Sequence, residues 1–447
     1  MNPEENYMIR PIHYLGSKLR MLETVKEAVD MVDFSNGCVC DLFSGSGTVS
    51  KYLSSYRDVI SADIQRYSGV LCEATMSFCH DAPRPEDILT EIMNSDVRFK
   101  LGNLYGNLLG YENESMERAR EGDIDQLYEI IEKGSIYIYL KGGKKGETGE
   151  LYRKLEELSD RLVKADETIS LDSMITRYYG GLYFSYKQSL QMDCIEQFVF
   201  GKEGLLKTKL LAALLSTASE IVNTVGKQFA QPLKVRDGEG RYKRSLLKKI
   251  LDDRSMDVYA IYERWLGYYL SEGESQHAHR VICADYVDVL ENLKGSTVSV
   301  VYADPPYTRY HYSRYYHVLE TICLRDNPNV TTTFANGNGG ISRAVYREGR
   351  HQSPFCIKSQ AENAFDRMFA KVRELKVPLV LSYSPFDATQ AVTPRLQTVD
   401  QLMDKAKQYF SDVLSISPGE FTHSKLNSSV KNFEANHEAE ILILCRS

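Results

Sequence analysis

Tryptophan is nearly absent from this 447-residue chain: Trp265 stands alone against 30 tyrosines. Aromatic cores and edges must therefore be built mainly from phenols, flat rings with one polar end. No run approaches 18 consecutive apolar residues, and the opening MNPEENYMIR lacks the apolar core of a signal peptide. Membrane spanning and secretion are thus disfavoured. The nine cysteines, Cys38, Cys40, Cys72, Cys79, Cys194, Cys283, Cys323, Cys356 and Cys445, contain no CxxC pair and are odd in number. Reduced thiols in a cytoplasmic protein fit that pattern. Positive charge is not in excess either, since 54 Lys and Arg face 61 Asp and Glu for a net charge of −7. The field of the whole molecule repels a polyanion, and any nucleic-acid surface has to be local. A GxSxG elbow and a Walker-type GK[ST] loop are both missing. His277 with His279, and His311 with His317, lack cysteine partners and ligand spacing, so no metal site is expected.

What remains is ordinary globular material, 43% hydrophobic and 26% charged, long enough for two or three domains. IHYLGSK and the helix-like LRMLETVKEAVDMV precede a short apolar run, CVCDLF, which ends at the glycine-rich SGSGT. The helical pattern TVSKYLSSY and the strand-like DVISAD follow. Strand, glycine turn, helix and strand make a βαβ unit and predict a parallel sheet with helices on both faces. RVICADY, STVSVVYADPPY, VPLVLSYS, DVLSI and EAEILILC read as further strands of one sheet. The last two lie close together, joined by a turn with Pro418 and Gly419, and predict an antiparallel pair. Between these halves, residues 81–277 show mostly helical periodicity, as in TGELYRKLEELSDRLVKA and GLLKTKLLAALLSTASEIVNTV. The expected organisation is a sheet domain from residues 1–80 and 278–447 with a helical insert at 81–277.

Two places carry chemistry. In DLFSGSGTVS, Asp41 to Ser50, Gly45 and Gly47 sit where a strand turns into a helix, permitting positive φ and close approach of a ligand to free N–H groups. Asp63 ends the next strand, where an acid either accepts both ribose hydroxyls of an adenosine cofactor or caps a helix. The second place is ADPPYTRYHYSRYYHVLE, beginning at Ala303. Pro305 and Pro306 make a rigid turn and remove two N–H donors. Asp304 and the Pro305 carbonyl can each accept one N–H of a planar NH₂-bearing group while Tyr307 stacks on its face.

IHYLGSK, DLFSGSGT, Asp63, CADYVDVL and DPPY, in this order, resemble the S-adenosylmethionine-dependent DNA adenine methyltransferases in their alpha arrangement. VLSYSPF and EAEILIL resemble that family's later strands, while SGSG departs from the FxGGG turn of many of its members. The resemblance implies a Rossmann-like methyltransferase sheet with an inserted, mostly helical target-recognition domain. It implies S-adenosylmethionine as cofactor, with Tyr14 and Lys18 near its methionine end and Asp285 at its adenine end. Asp41, Phe43, Gly45, Gly47 and Asp63 complete the cofactor set. Asp304, Pro305, Pro306 and Tyr307 become the catalytic set for methylating the N6 amine of a flipped adenine in double-stranded DNA. A cognate restriction endonuclease is a possible partner. RNA or cytosine-N4 methylation, and a catalytically silent DNA-binding module, remain as alternatives.

For DNA, Lys227 to Lys249 is the strongest basic stretch: Lys227, Lys234, Arg236, Arg241, Lys243, Arg244, Lys248 and Lys249 against Asp237 and Glu239. It is either a phosphate-facing patch or a solvated helix face. Arg309 and Arg314 join it as DNA-binding candidates. With Arg343, Arg347, Arg350 and the glycines 337, 339 and 340, they suggest a mobile loop closing over DNA.

Overall fold

The computed structural model describes residues 10–14, 16, 18–142, 148–271, 273, 275–306, 308–309, 311–335, 338–384, 395–417 and 440–446. These residues form the strands β1 (Cys38–Asp41), β2 (Val59–Asp63), β3 (His279–Cys283), β4 (Val298–Ala303), β5 (Thr332–Ala335), β6 (Asn338–Ile341), β7 (Leu379–Tyr383), β8 (Asp412–Ile416) and β9 (Ile441–Arg446). The chain divides into two compact units, one of residues 1–78, 272–313 and 351–447, the other of residues 79–271 and 314–350.

The first unit is built on a seven-stranded sheet in the order β3-β2-β1-β4-β7-β9-β8. β3, β2, β1, β4 and β7 are parallel, while β9 runs antiparallel to both neighbours. The expected antiparallel pair β8–β9 forms, but Pro418 and Gly419 lie outside the described residues. The sheet is buried on both sides because alternate side chains point to opposite faces. Cys38, Cys40, Ile60, Ala62, Val301, Ala303, Leu379 and Leu381 enter one core with residues of the helices Tyr286–Asn292 and Ala361–Leu375. Val39, Val59, Val300, Tyr302, Val380, Leu442 and Leu444 enter the other with residues of the helices Leu22–Val32 and Thr48–Leu53. Each such aliphatic side chain, fully buried, contributes about 1.5–3 kcal/mol. Substituting a charge for Val300 or Leu381 would therefore be among the most damaging single changes.

The second unit is mainly helical. The periodic stretches fold as the helices Glu150–Lys164, Gly204–Ile221 and Leu247–Arg254. The helix Tyr186–Phe200 starts in a capping box, Ser185 accepting from the Gln188 amide while the Gln188 side chain accepts from the Ser185 amide. A buried pair, Arg254 to Glu112 at 2.9 Å, is fixed further by the Tyr186 amide donating to Glu112. Buried tyrosines such as Tyr105, Tyr128, Tyr179 and Tyr183 fill this unit, as the aromatic composition suggests.

Residues 314–350, left with the sheet in the sequence reading, belong to this helical unit. Arg343 donates to the carbonyls of Ile131 and Leu233, Arg347 pairs with Asp326 at 2.6 Å, and the Arg350 guanidinium sits over the Tyr346 ring at 4.7 Å. Gly337 lies outside the described residues.

Candidate active site

In an open α/β sheet, ligands bind beyond the carboxyl ends of the strands where the chain order reverses. Here the reversal falls between β1 and β4, and the segments after these two strands carry the glycine turn and Asp304. A cavity of about 790 Å³, open solvent at its mouth included, lies at this edge. Six of the residues singled out by sequence line it together: Tyr14, Phe43, Asp63, Asp285, Asp304 and Pro306. Pro305 is buried beside them, and Tyr307 lies outside the described residues.

The glycine turn is shaped by its surroundings. Gly45 has φ +52°, and a Cβ there would come within 2.7 Å of the Tyr14 ring. Gly47, at φ +77°, precedes the helix Thr48–Leu53. Asp63 ties the turn to β2, accepting from the Gly45 amide at 3.0 Å and from the Gln65 amide at 2.8 Å. Asp63 thus braces the turn while lining the cavity, and it does not cap the helix Arg66–Met76, whose N-cap is Gln65. Asp285, by contrast, caps the helix Tyr286–Asn292 through the Val287 amide at 3.0 Å while facing the cavity. Phe43 packs edge-on against Phe355, at 5.4 Å between centroids.

Asp41 is 1% exposed. One of its oxygens accepts from Ser50 Oγ at 2.6 Å, and the other has no hydrogen-bond partner among the described residues. Burial, reinforced by the charges of Asp304 and Asp63, pushes its carboxyl up to about 7. Burial likewise raises Asp63. Asp304 is pushed up to about 6, first by burial, with the Lys18 ammonium opposing and the Glu440 carboxylate reinforcing the rise.

Lys18, expected near the cofactor's methionine end, is engaged by two carboxylates. Its ammonium sits 2.9 Å from Asp304 Oδ2 and 2.9 and 2.8 Å from the two oxygens of Glu440. Two carboxylates thus compete for one buried cation. Glu440, Tyr312, His351 and Pro354 escaped the sequence reading. Tyr312 falls inside the stretch that drew attention to Asp304, whereas a lone glutamate before an apolar strand carries no local signal.

Among the DNA candidates, several positive charges are already satisfied within the helical unit. Lys227 is partly buried on Asp253 at 2.8 Å, and Lys249 pairs with the same carboxylate. Arg236 pairs with Glu132, and Arg241 with Asp237 and Glu239. The Lys243 ammonium donates to the Lys234 carbonyl. Lys234, Arg244, Lys248, Arg309 and Arg314 remain exposed. Arg314 also lies over the Tyr346 ring.

Such a doubly wound sheet, with its glycine turn and acid-lined cavity at the switch point, defines the class of α/β proteins that hold a nucleotide-like ligand at the strand ends. The model of the D12 class N6 adenine-specific DNA methyltransferases matches residues 14–175 and 270–347, more than half the chain, and the chain belongs to that family. Modification methylase LlaI of Lactococcus lactis subsp. lactis is 23% identical over 439 residues, covering 97% of this chain and 54% of its own length. Type II methyltransferase M.NlaIII of Neisseria lactamica is 25% identical over 80% of this chain and 79% of its own length. Type II methyltransferase M.FokI of Planomicrobium okeanokoites is 22% identical over 83% of this chain and 44% of its own length. The chain thus spans about half the length of the first and third of these relatives. No solved structure matches it.

Proposed function

We propose that this protein transfers a methyl group from S-adenosylmethionine to the exocyclic N6 amine of an adenine flipped out of duplex DNA. The observation that carries the reading is the position of Asp304, at the end of β4, facing the cavity across the switch point from the glycine turn. When bound, S-adenosylmethionine supplies an electrophilic methyl group on a sulfonium. The cavity fits it in chemistry: Asp63 and Asp285 offer acceptors to ribose and adenine. Tyr14 against Gly45 leaves the turn no room for a side chain, which accounts for glycine at this position.

On the substrate side, Asp304 and the Pro305 carbonyl would accept the two amine N–H groups and draw the nitrogen toward a pyramidal geometry. Its lone pair is then freed from the ring, and alignment of this kind lowers barriers by roughly 7–11 kcal/mol. Flipping the base costs a few kcal/mol, of which stacking returns about 1–3 kcal/mol; Tyr307 is the stacking candidate by its place in the sequence. The helical unit is the proposed target-recognition domain, with Lys234, Arg244, Lys248 and Arg314 as phosphate contacts, and Arg309 of the sheet unit is a further candidate. The names of the relatives support a modification role beside a cognate restriction endonuclease.

Tritiated methyl transfer to duplex DNA, RNA and free nucleosides, followed by identification of the modified base, tests the reading. N6-methyladenine in duplex DNA is the expected product. Transfer to RNA alone, N4-methylcytosine, or no transfer to any of them would overturn it.

A further inference from the structure

We propose that Glu440 is a positioning residue of this active site, acting through Lys18 to keep the Asp304 carboxylate aimed at the cavity and strongly accepting. The inference rests on the methyl-transfer reading for its purpose, but its geometry stands apart from it. Glu440 is 3% exposed, immediately precedes β9, and grips the Lys18 ammonium with both oxygens, at 2.9 and 2.8 Å. Ser382 of β7 donates to it at 3.2 Å, so the carboxylate is held from the adjacent strand as well. Lys18, 4% exposed, reaches Asp304 Oδ2 at 2.9 Å. The three groups form a row of carboxylate, ammonium and carboxylate, buried at Glu440 and Lys18 and partly exposed at Asp304, with one negative charge in surplus.

A buried ion pair is costly unless each charge is matched, and leaving one partner uncompensated costs more still. An Asp304–Lys18 pair alone would satisfy the aspartate fully and leave it a weak acceptor for anything in the cavity. Burial is the first cause of the rise of Asp304 to about 6, and Glu440, by sharing the lysine's charge and adding its own, reinforces that rise against the Lys18 ammonium. The other titratable groups that face this row are Asp41 on β1 and Tyr302 on β4, whose own shifts register the Asp304 charge. Tyr14, Asp63, Asp285, Tyr312 and His351 line the cavity beyond it. Among the described residues Lys18 is the cation that lowers Asp304 against the burial that raises it, so its division between two carboxylates shifts how basic Asp304 is. A more basic carboxylate binds an amine N–H more strongly, at the expense of being neutralised sooner as pH falls.

The test is Glu440→Gln, which keeps shape and an acceptor while removing the charge. In protein labelled with ¹³C at aspartate carboxyls, and without any substrate, the Asp304 midpoint should fall by about one pH unit; Asp304→Asn identifies the signal. Lys18→Gln should move it the opposite way, and Glu440→Asp, which restores the charge, should return it toward the parent value. An unmoved midpoint in Glu440→Gln overturns the proposal, and should that variant fail to fold, an unmoved midpoint in Lys18→Gln does the same. Kinetically, Glu440→Gln should lose on the order of tenfold in kcat with the KM for S-adenosylmethionine held, and its acid limb should shift to lower pH. A raised KM with unchanged kcat and limb also overturns it. The carboxyl titration does not depend on DNA being the substrate, so a parent protein that fails to methylate DNA sinks the methyl-transfer reading without deciding this one.

Discussion

The amide of Gly45 donates to Asp63 Oδ2 at 3.0 Å, tying the turn after β1 to the carboxyl end of β2. Asp63 thus does two things at once, holding the turn closed and facing the cavity. Asp63→Ala should weaken S-adenosylmethionine binding and also lower stability by about 1–3 kcal/mol, because the Gly45 and Gln65 amides lose their acceptor. Calorimetric titration and thermal melts measure the two effects separately. Unchanged cofactor affinity would remove Asp63 from the binding set.

Gly45→Ala asks whether the closeness of Tyr14 matters. The new methyl group meets the Tyr14 ring at 2.7 Å and is held at φ +52°. Stability should drop by about 1 kcal/mol or more from the strained backbone alone, and cofactor affinity should drop with it as Tyr14 is displaced. Tyr14→Ala in the same chain should recover part of the stability and none of the affinity. Full recovery of both would show that the turn tolerates a side chain.

Asp304→Asn should reduce kcat by at least about 100-fold while S-adenosylmethionine binds within a few-fold of the parent, since its hydrogen bonds to the amine strengthen mainly in the transition state. In the parent, kcat/KM should fall as pH drops through about 6, where Asp304 takes up a proton. A variant within about tenfold of the parent, a barrier change of only about 1.4 kcal/mol, would be incompatible with the proposed role.

Asp41 makes a prediction about stability. Its folded-state value of about 7 lies above the ordinary carboxylate value of 3.8. The folded protein therefore holds a proton that the unfolded chain has released, and stability contributed by the neutral form is full below about 4 and is lost as pH rises through about 7. Asp41→Asn stays neutral at every pH. Relative to the parent, it should gain stability on going from pH 5 to pH 8, by about 1 kcal/mol or more. Parallel melting curves at the two pH values would contradict this.

On the helical unit, charge neutralisation separates the lysines and arginines. Replacing exposed Lys234, Arg244 and Lys248 by Gln should flatten the plot of log affinity against log salt by about 0.9 per lost phosphate contact on duplex DNA. Cognate and unrelated duplexes should weaken alike, because phosphate contacts position without reading sequence. Arg241→Gln should change the slope less, its guanidinium being already matched by Asp237 and Glu239. An unchanged slope in the triple variant would return this stretch to a solvated face.

Much of this protein was legible in its residue order because the relevant chemistry is local. A strand followed by a glycine turn and a helix, an acid at the end of the next strand, and DPP after an apolar run each specify a backbone path over fewer than ten residues. Asp63, Asp304 and Pro306 were found in that way, Tyr14, Phe43 and Asp285 through the family resemblance, and all six meet at one cavity. The helices of the second unit were equally readable from their periodicity. The pairing of charges was not, because ion pairs join residues that only the fold makes neighbours. Thus Lys227 and Lys249 converge on Asp253 instead of facing outward, and residues 314–350 join the helical unit. Glu440 is the sharpest case. It immediately precedes β9, and since β9 runs antiparallel to β7, the beginning of that strand lies at the edge where the parallel strands end. Strand direction, which a run of apolar residues does not encode, is what brings the glutamate to Lys18 and Asp304.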